Sequence, residues 1–325
     1  MSLNTHPSVA PGSARASDPA TAGNLLSNCL AEYLQTQLTA IGEGRDEVQR
    51  DEPAAIADIV IAARRARSAL AAHHNAADHH VELRRLIDEL RWFGFGLAAA
   101  PDLDAQSRRI GAALDTLRPR YVRGPVRDRM AAYFDARIRP ARLDGLGLLG
   151  SSRCTTLLDD LTTEVETLRD GASGWARTDR IEVLLGELAT RVRVRLHAVE
   201  TTTGEDEHDA AVHAVRKAAR RMRYFLESVR PVDPEHCDRV LTDLVAVQDV
   251  LGEYHDAVVA RRHLLQLCRE AENAGESSFT YGLLHQREAE VMVRAGHRLP
   301  GLCHTALRDV HLVSEAATGR RQQAR

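Results

Sequence analysis

Apolar residues recur at intervals of three and four along most of this chain, the spacing that places them on one face of an α-helix. No stretch shows the sustained alternation of apolar and polar residues that is typical of a β-strand. The predicted helices cover residues 25–41, 54–72, 82–99, 103–117, 126–138, 154–168, 178–199, 211–230, 238–271, 277–299 and 302–316. The predicted fold class is therefore all-α.

Glycine, proline and acidic residues mark the expected ends of these helices. Gly42 and Gly44 are expected to end the first helix, and Pro101 is expected to separate two helices. The glycine-rich segment 144–150 is predicted to be the midpoint of the fold. The acidic segment 204–209 is predicted to be a linker that leads into the helix 211–230.

The helix predicted over residues 211–230 has one apolar face and one basic face. The apolar face consists of Val212, Val215, Ala218, Ala219, Met222, Phe225, Leu226 and Val229. The other face consists of His213, Arg216, Lys217, Arg220, Arg221, Arg223 and Tyr224. Glu227 is the only acid in this segment, and a basic run without local neutralisation favours a polyanionic ligand, since arginine and lysine are good phosphate donors. A solvated basic face, or one neutralised by carboxylates of neighbouring helices, is the alternative.

The overall composition limits what this ligand can be. The net charge of the 325-residue chain is −3, which argues against non-specific binding to nucleic acid. Aromatic residues make up only 4% of the chain, too few for the stacking platforms of single-strand binders. The five cysteines are scattered, which predicts reduced thiols and not a zinc site. No apolar run reaches the roughly 18 residues that span a membrane, and no signal peptide is evident, so the expected location is the cytoplasm.

Four histidines lie within the segment HHNAADHH, residues 73–80, together with Asp78. Such a cluster could ligate a metal ion. We interpret it as a solvated, flexible connection between helices, because such segments are more often connections. No metal site and no cofactor are predicted.

Two pairs of segments indicate an internal repeat. IAARRARSAL (61–70) aligns with KAARRMRYFL (217–226) at an offset of 156 residues, which superposes Arg64, Arg65 and Arg67 on Arg220, Arg221 and Arg223. LRWFGFGLAAAPDLDA (90–105) aligns with LVAVQDVLGEYHDAVV (244–259) at an offset of 154 residues. These near-equal offsets predict duplication of a helical unit of about 150 residues, and duplicated helical hairpins usually form antiparallel bundles.

The sequence VHAVRKAARRMRY (212–224), followed by LVAVQDVLGEYHD (244–256), resembles the CHAD family, the conserved-histidine α-helical domains. The resemblance covers about residues 45–318 and is closer in the second half. It implies two antiparallel four-helix bundles about a pseudo-twofold axis. The expected organisation is a disordered tail (1–24), an N-terminal helix (25–44) and a CHAD-like domain (45–318) with halves of about 45–172 and 173–318.

The resemblance also implies that a basic groove at the junction of the bundles binds inorganic polyphosphate without enzymatic activity, and association with polyphosphate granules is a further hypothesis. The expected ligand-binding residues are His213, Arg216, Lys217, Arg220, Arg221, Arg223, Arg64, Arg65 and Arg67. The first half has Ala57, Val60 and Ile61 where the second has a histidine, an arginine and a lysine, so the groove is expected to be lopsided.

Two other functions remain open from the residues alone. A metal-dependent phosphohydrolase, acting on polyphosphate or a related phosphate ester, would need grouped carboxylates to hold magnesium. A helical scaffold that binds nucleic acid or protein is the second alternative.

Overall fold

The computed structural model describes residues 19–50, 52–73, 80–170 and 179–323. Within these ranges the chain forms α-helices joined by short connections, and no β-strand occurs in them, so the all-α prediction is confirmed. The α-helices are α1 (Pro19–Gln49), α2 (Ile56–His73), α3 (His80–Asp115), α4 (Val126–Leu149), α5 (Ser152–Arg169), α6 (Asp179–Thr201), α7 (Glu205–Val229), α8 (Pro234–Asn273) and α9 (Phe279–Gln323). The structure describes no helix able to span a membrane.

Several helices are longer than predicted, because residues expected to end them lie inside them. α1 begins at Pro19, within the segment predicted to be a disordered tail, and continues through Gly42 and Gly44. A Cβ atom at Gly44 would lie 2.6 Å from Cγ1 of Ile59 in α2, so this glycine permits close packing of the two helices. The expected helix end at this position is therefore wrong.

Further along the chain, other residues that were expected to end or separate helices also lie inside helices. Pro101 lies inside α3, and α4 runs through the glycine-rich segment that was expected to be the midpoint. The two last predicted helices are the single helix α9, with Pro300 inside it. The predicted acidic linker is the first turn of α7, where Glu205, Asp206 and Glu207 lie at the positive end of the helix dipole.

The first hydrophobic core is formed by α1, α2, α5 and the N-terminal half of α3. Leu34, Leu70 and Phe93 are fully buried in it. α1 therefore packs as a member of the first four-helix group, although the sequence placed it before the domain.

The second hydrophobic core is formed by α6, α7, the N-terminal half of α8 and the middle of α9, from Met292 to Val310. Val215, Met222, Phe225 and Leu244 are among its buried residues. The two cores thus contain two groups of four helices; that these groups arose by internal duplication stays a prediction.

A third core, which the sequence did not predict, joins the two groups. It combines the C-terminal half of α3 and the N-terminal half of α4 with the C-terminal half of α8 and the N-terminal half of α9. A largely buried ion pair, 2.7 Å between Arg109 of α3 and Glu288 of α9, links the same regions. The long helices α3, α8 and α9 therefore each contribute to two cores.

The two four-helix groups also touch through α2 and α7, which pack against each other. His73, the last residue of α2, is buried, and its ring centroid lies 5.1 Å from that of Phe225 in α7. Its Nδ1 lies 2.8 Å from the carbonyl oxygen of Ala69. The interpretation of His73 as part of a solvated connection is therefore wrong, while residues 74–79 of that cluster lie outside the described residues.

Candidate functional site

The apolar face of α7 determines where its basic face points. Val215, Ala219, Met222 and Phe225 are completely buried in the second core, so the cations of α7 face α2, α6 and α8. Tyr224 was assigned to the polar face from its position, but it is buried, with the Arg65 guanidinium carbon 6.0 Å from its ring centroid.

Five arginines of α2 and α7 lie near enough at the contact between the two helical groups for their charges to act on one another. We call them the arginine cluster, and they are Arg64, Arg67, Arg216, Arg220 and Arg221. Burial is the main cause that lowers the pKa of Arg220 to about 10, and the positive charges of Arg216, Arg64 and Arg67 contribute to the same lowering. Burial likewise lowers the pKa values of the other two α7 arginines in the cluster.

Within the described ranges, the arginine cluster has no acidic partner at bonding distance. Among the residues that the structure describes, none of its members forms a hydrogen bond or an ion pair with another side chain. Several arginines elsewhere are paired at short range, for example Arg129 with Glu276 at 2.6 Å and Arg153 with Glu89 at 2.8 Å. The cluster is therefore a local concentration of unneutralised charge in a chain of nearly neutral net charge.

Two carboxylates border the arginine cluster without neutralising it. Burial raises the pKa of Asp102, against the opposing effects of Arg64 and His255. Burial also acts to raise the pKa of Asp256, but the hydrogen bond with His255 and the charge of Arg216 outweigh burial, and the pKa is lowered. Nδ1 of His255 lies 3.3 Å from Oδ1 of Asp256.

Arg65 and Arg223, both predicted to bind the ligand, contact Glu227. Nε of Arg223 donates to Oε1 of Glu227 at 2.7 Å, and Nε of Arg65 lies 3.7 Å from Oε2. The hydroxyl of Tyr33 in α1 donates to the same Oε2 at 2.8 Å, and Arg223 also donates to Oε1 of Gln248 at 3.2 Å. This network joins α1, α2, α7 and α8, so the structure gives these two arginines a packing role that the sequence did not suggest.

His213 and Lys217 lie on the outer side of α7. The imidazole of His213 stacks on that of His255, with ring centroids 5.8 Å apart and planes inclined by 20°. Burial lowers the pKa of His213, and the nearby charges of Lys217, His255 and Arg216 lower it further. His213 also lines a cavity of about 350 Å³ between α7 and α8, together with Arg216 and Arg262.

The first half contributes fewer cations to the site, as its sequence predicts. Ile61, at the position aligned with Lys217, is 40% exposed, and Val60 is buried. Arg64 and Arg67 are thus the α2 residues that join the cluster. Arg191 and Arg195 of α6, which the sequence did not assign to the site, line a cleft beside Lys217 and Arg221.

The described residues contain no group of three or more His, Cys, Asp or Glu side chains that could hold a metal ion.

An all-α architecture of two joined helical groups, with a cluster of arginines where they meet, defines a helical protein with a strongly basic surface. This chain belongs to the CHAD domain family, whose profile matches residues 32–265. Uncharacterised proteins of Mycobacterium tuberculosis strains CDC 1551 and H37Rv are each 34% identical to it over 217 residues, or 66% of the chain. The chain spans only 40% of the length of these relatives.

Two solved structures have the same fold. PptA from Streptomyces chartreusis superposes with a TM-score of 0.68 at 22% sequence identity, covering 85% of this chain and 98% of PptA. The CHAD domain from the plant Ricinus communis superposes with a TM-score of 0.68 at 23% identity, covering 86% of this chain and 91% of that domain.

Proposed function

We propose that this protein binds inorganic polyphosphate through the arginine cluster. The observation that carries the proposal is the packing of these five arginines with no ion pair to any acid of the described residues. Crowded, partly buried cations repel one another and lose hydration, so the charged cluster is unfavourable in the free protein. A polyanion would relieve this repulsion. The function implied by the resemblance to the CHAD family agrees with this chemistry.

The proposed ligand suits the spacing of the cations. Each guanidinium offers several N–H donors in a planar fork that matches phosphate oxygens, and Lys217 adds a point charge. Residues one helical turn apart, such as Arg216 and Arg220, rise by about 6 Å along the helix axis. A linear chain of phosphates can follow such a row by its backbone charge, without any sequence to read.

We propose binding without hydrolysis. Phosphohydrolases that use magnesium hold the ion with grouped carboxylates. Asp102 and Asp256 border the arginine cluster, and the charges of Arg216 and His255 act on both carboxylates. Interaction with the surrounding basic residues therefore explains these two carboxylates better than magnesium binding does.

Titration with polyphosphates of defined length, with duplex DNA as a competitor, tests the proposed function. We expect saturable binding that DNA displaces poorly, and no release of orthophosphate when magnesium is added. Preferential binding of DNA would favour the scaffold alternative instead. Release of orthophosphate at enzymatic rates, dependent on magnesium, would show a phosphohydrolase.

A further inference from the structure

A second basic surface lies on the side of α7 that faces α6. It is a cleft of about 560 Å³ between the two helices, which we call the α6–α7 cleft. Its cations are Arg191 and Arg195 of α6 and Lys217 and Arg221 of α7, with His213 at the same wall. Alanine and leucine side chains form the rest of the lining, so the long basic side chains provide its polar groups.

The cations of the α6–α7 cleft also have no acidic partner in the part of the chain that the structure describes. In the described parts of the chain, neither α6 arginine of the cleft nor Lys217 forms an ion pair. Burial lowers the pKa of Arg221, and the charges of Arg191 and Arg91 add to this effect. Opposing helices thus bring like charges together here, as α2 and α7 do in the arginine cluster.

Arg221 connects the two basic surfaces. It lines the α6–α7 cleft, and its charge also lowers the pKa of Arg67, which lies in the arginine cluster. The positive surface is therefore continuous from α2, across α7, to α6. α1, which contacts α2 and α7, carries only Arg45 as a basic residue, and that guanidinium donates to the carbonyl oxygen of Leu149 at 3.3 Å. The positive surface therefore extends from α7 towards α6 and not towards α1.

We propose that a long polyphosphate chain leaves the arginine cluster at Arg221, crosses α7 and continues into the α6–α7 cleft. This inference rests on the proposed function and specifies the form of its ligand. Contact with both flanks of one helix, which is about 10 Å across, requires a chain that bends. A short polyphosphate can occupy only the arginine cluster, and long chains gain the additional contacts of the cleft.

The test compares two double variants with the unaltered protein. Arg191→Gln/Arg195→Gln removes the α6 cations from the cleft, and Arg269→Gln/Arg294→Gln removes the same charge from exposed positions on α8 and α9 outside it. Glutamine and arginine have similar helix propensities, so both variants are expected to melt like the parent. Affinities for tripolyphosphate and for long-chain polyphosphate are measured at fixed salt.

We expect the cleft variant to bind tripolyphosphate within about twofold of the parent, and long chains at least about tenfold more weakly, since lost charge-assisted hydrogen bonds have that magnitude. The control variant should match the parent with both ligands. Equal long-chain affinity in the cleft variant and the control would overturn the proposed path while leaving the function intact. Equal weakening of both ligands in the cleft variant would also overturn it, because the cleft would then be the primary site. Absence of binding to the unaltered protein would contradict the proposed function itself.

Discussion

Replacing Arg220 with methionine should stabilise the free protein. Methionine is similar in length and helix propensity but has no charge. The pKa of Arg220 is lowered from its ordinary value to about 10, with burial as the main cause and repulsion by Arg216 and Arg64 next. Because a tenfold change in proton affinity corresponds to about 1.4 kcal/mol, the charged side chain costs on the order of 3 kcal/mol in the folded state. We expect Arg220→Met to recover part of this cost, which would raise Tm by about 2–4 °C per kcal/mol gained.

The same substitution should weaken ligand binding. A charge-assisted hydrogen bond to phosphate contributes about 1.5–3 kcal/mol, so the dissociation constant for polyphosphate should rise by a factor of about 10 or more. Thermal melting with and without polyphosphate measures both effects. The parent should have the lower Tm without ligand and the larger increase in Tm when ligand is added, since a ligand that binds only the folded state stabilises it.

Arg223→Met is the matched control. It removes an arginine from the same helix, but this one is hydrogen-bonded to Glu227 at 2.7 Å and to Gln248 at 3.2 Å. Its loss leaves Glu227 with fewer donors, so we expect a lower Tm and a smaller change in affinity. If Arg220→Met lowers Tm as much as Arg223→Met does, the cluster is not electrostatically strained and the reasoning fails.

Three other outcomes are expected. The affinity for polyphosphate should fall steeply as salt increases, because bound cations displace condensed counterions, and a flat dependence would exclude the basic surface as the site. Arg216→Ala/Arg220→Ala should weaken binding more than Arg64→Ala/Arg67→Ala in variants shown by circular dichroism to be folded; the reverse order would place the site on the first half. Burial lowers the pKa of His73 to about 4 from 6.5, so the unfolded chain binds the proton first and stability should decline as pH falls from 6.5 towards 4. Denaturant titrations of the parent and His73→Gln across this range should differ in pH dependence, and identical profiles would contradict the burial of a neutral imidazole.

The sequence predicts the helices well because an apolar stripe is a local property. It fails at their ends, where tertiary packing outweighs local preference. A proline inside a helix costs about 3 kcal/mol, yet Pro101 lies within α3 between the turns that pack into the first and third cores. A glycine inside a helix is also unfavourable, and at Gly44 this cost is offset by the close packing of Ile59 against α1.

In the candidate site, too, the features set by one helix can be predicted from the sequence, and the contacts between helices cannot. The basic face of α7 can be predicted because all its cations lie on one helix. The sequence also shows that Glu227 is the only acid there, but its contacts with Tyr33 and Arg65 come from residues more than 150 positions away. Arg223 lies one helical turn before Glu227, so local spacing accounts for that ion pair, whereas the neighbours of Arg220 on other helices, which leave it without an ion pair among the described residues, cannot be read from the sequence.

The third core has a consequence for how the basic surface keeps its shape. Ile110 and Phe134 from the first half and Leu264 and Tyr281 from the second are buried together there, away from the contact of α2 with α7. Mutual repulsion within the arginine cluster favours separation of the two halves. The apolar contacts of the third core oppose this separation. The third core, at the other end of the long helices, thus helps to hold the cations at their spacing. Polyphosphate would then bind a surface that needs little rearrangement.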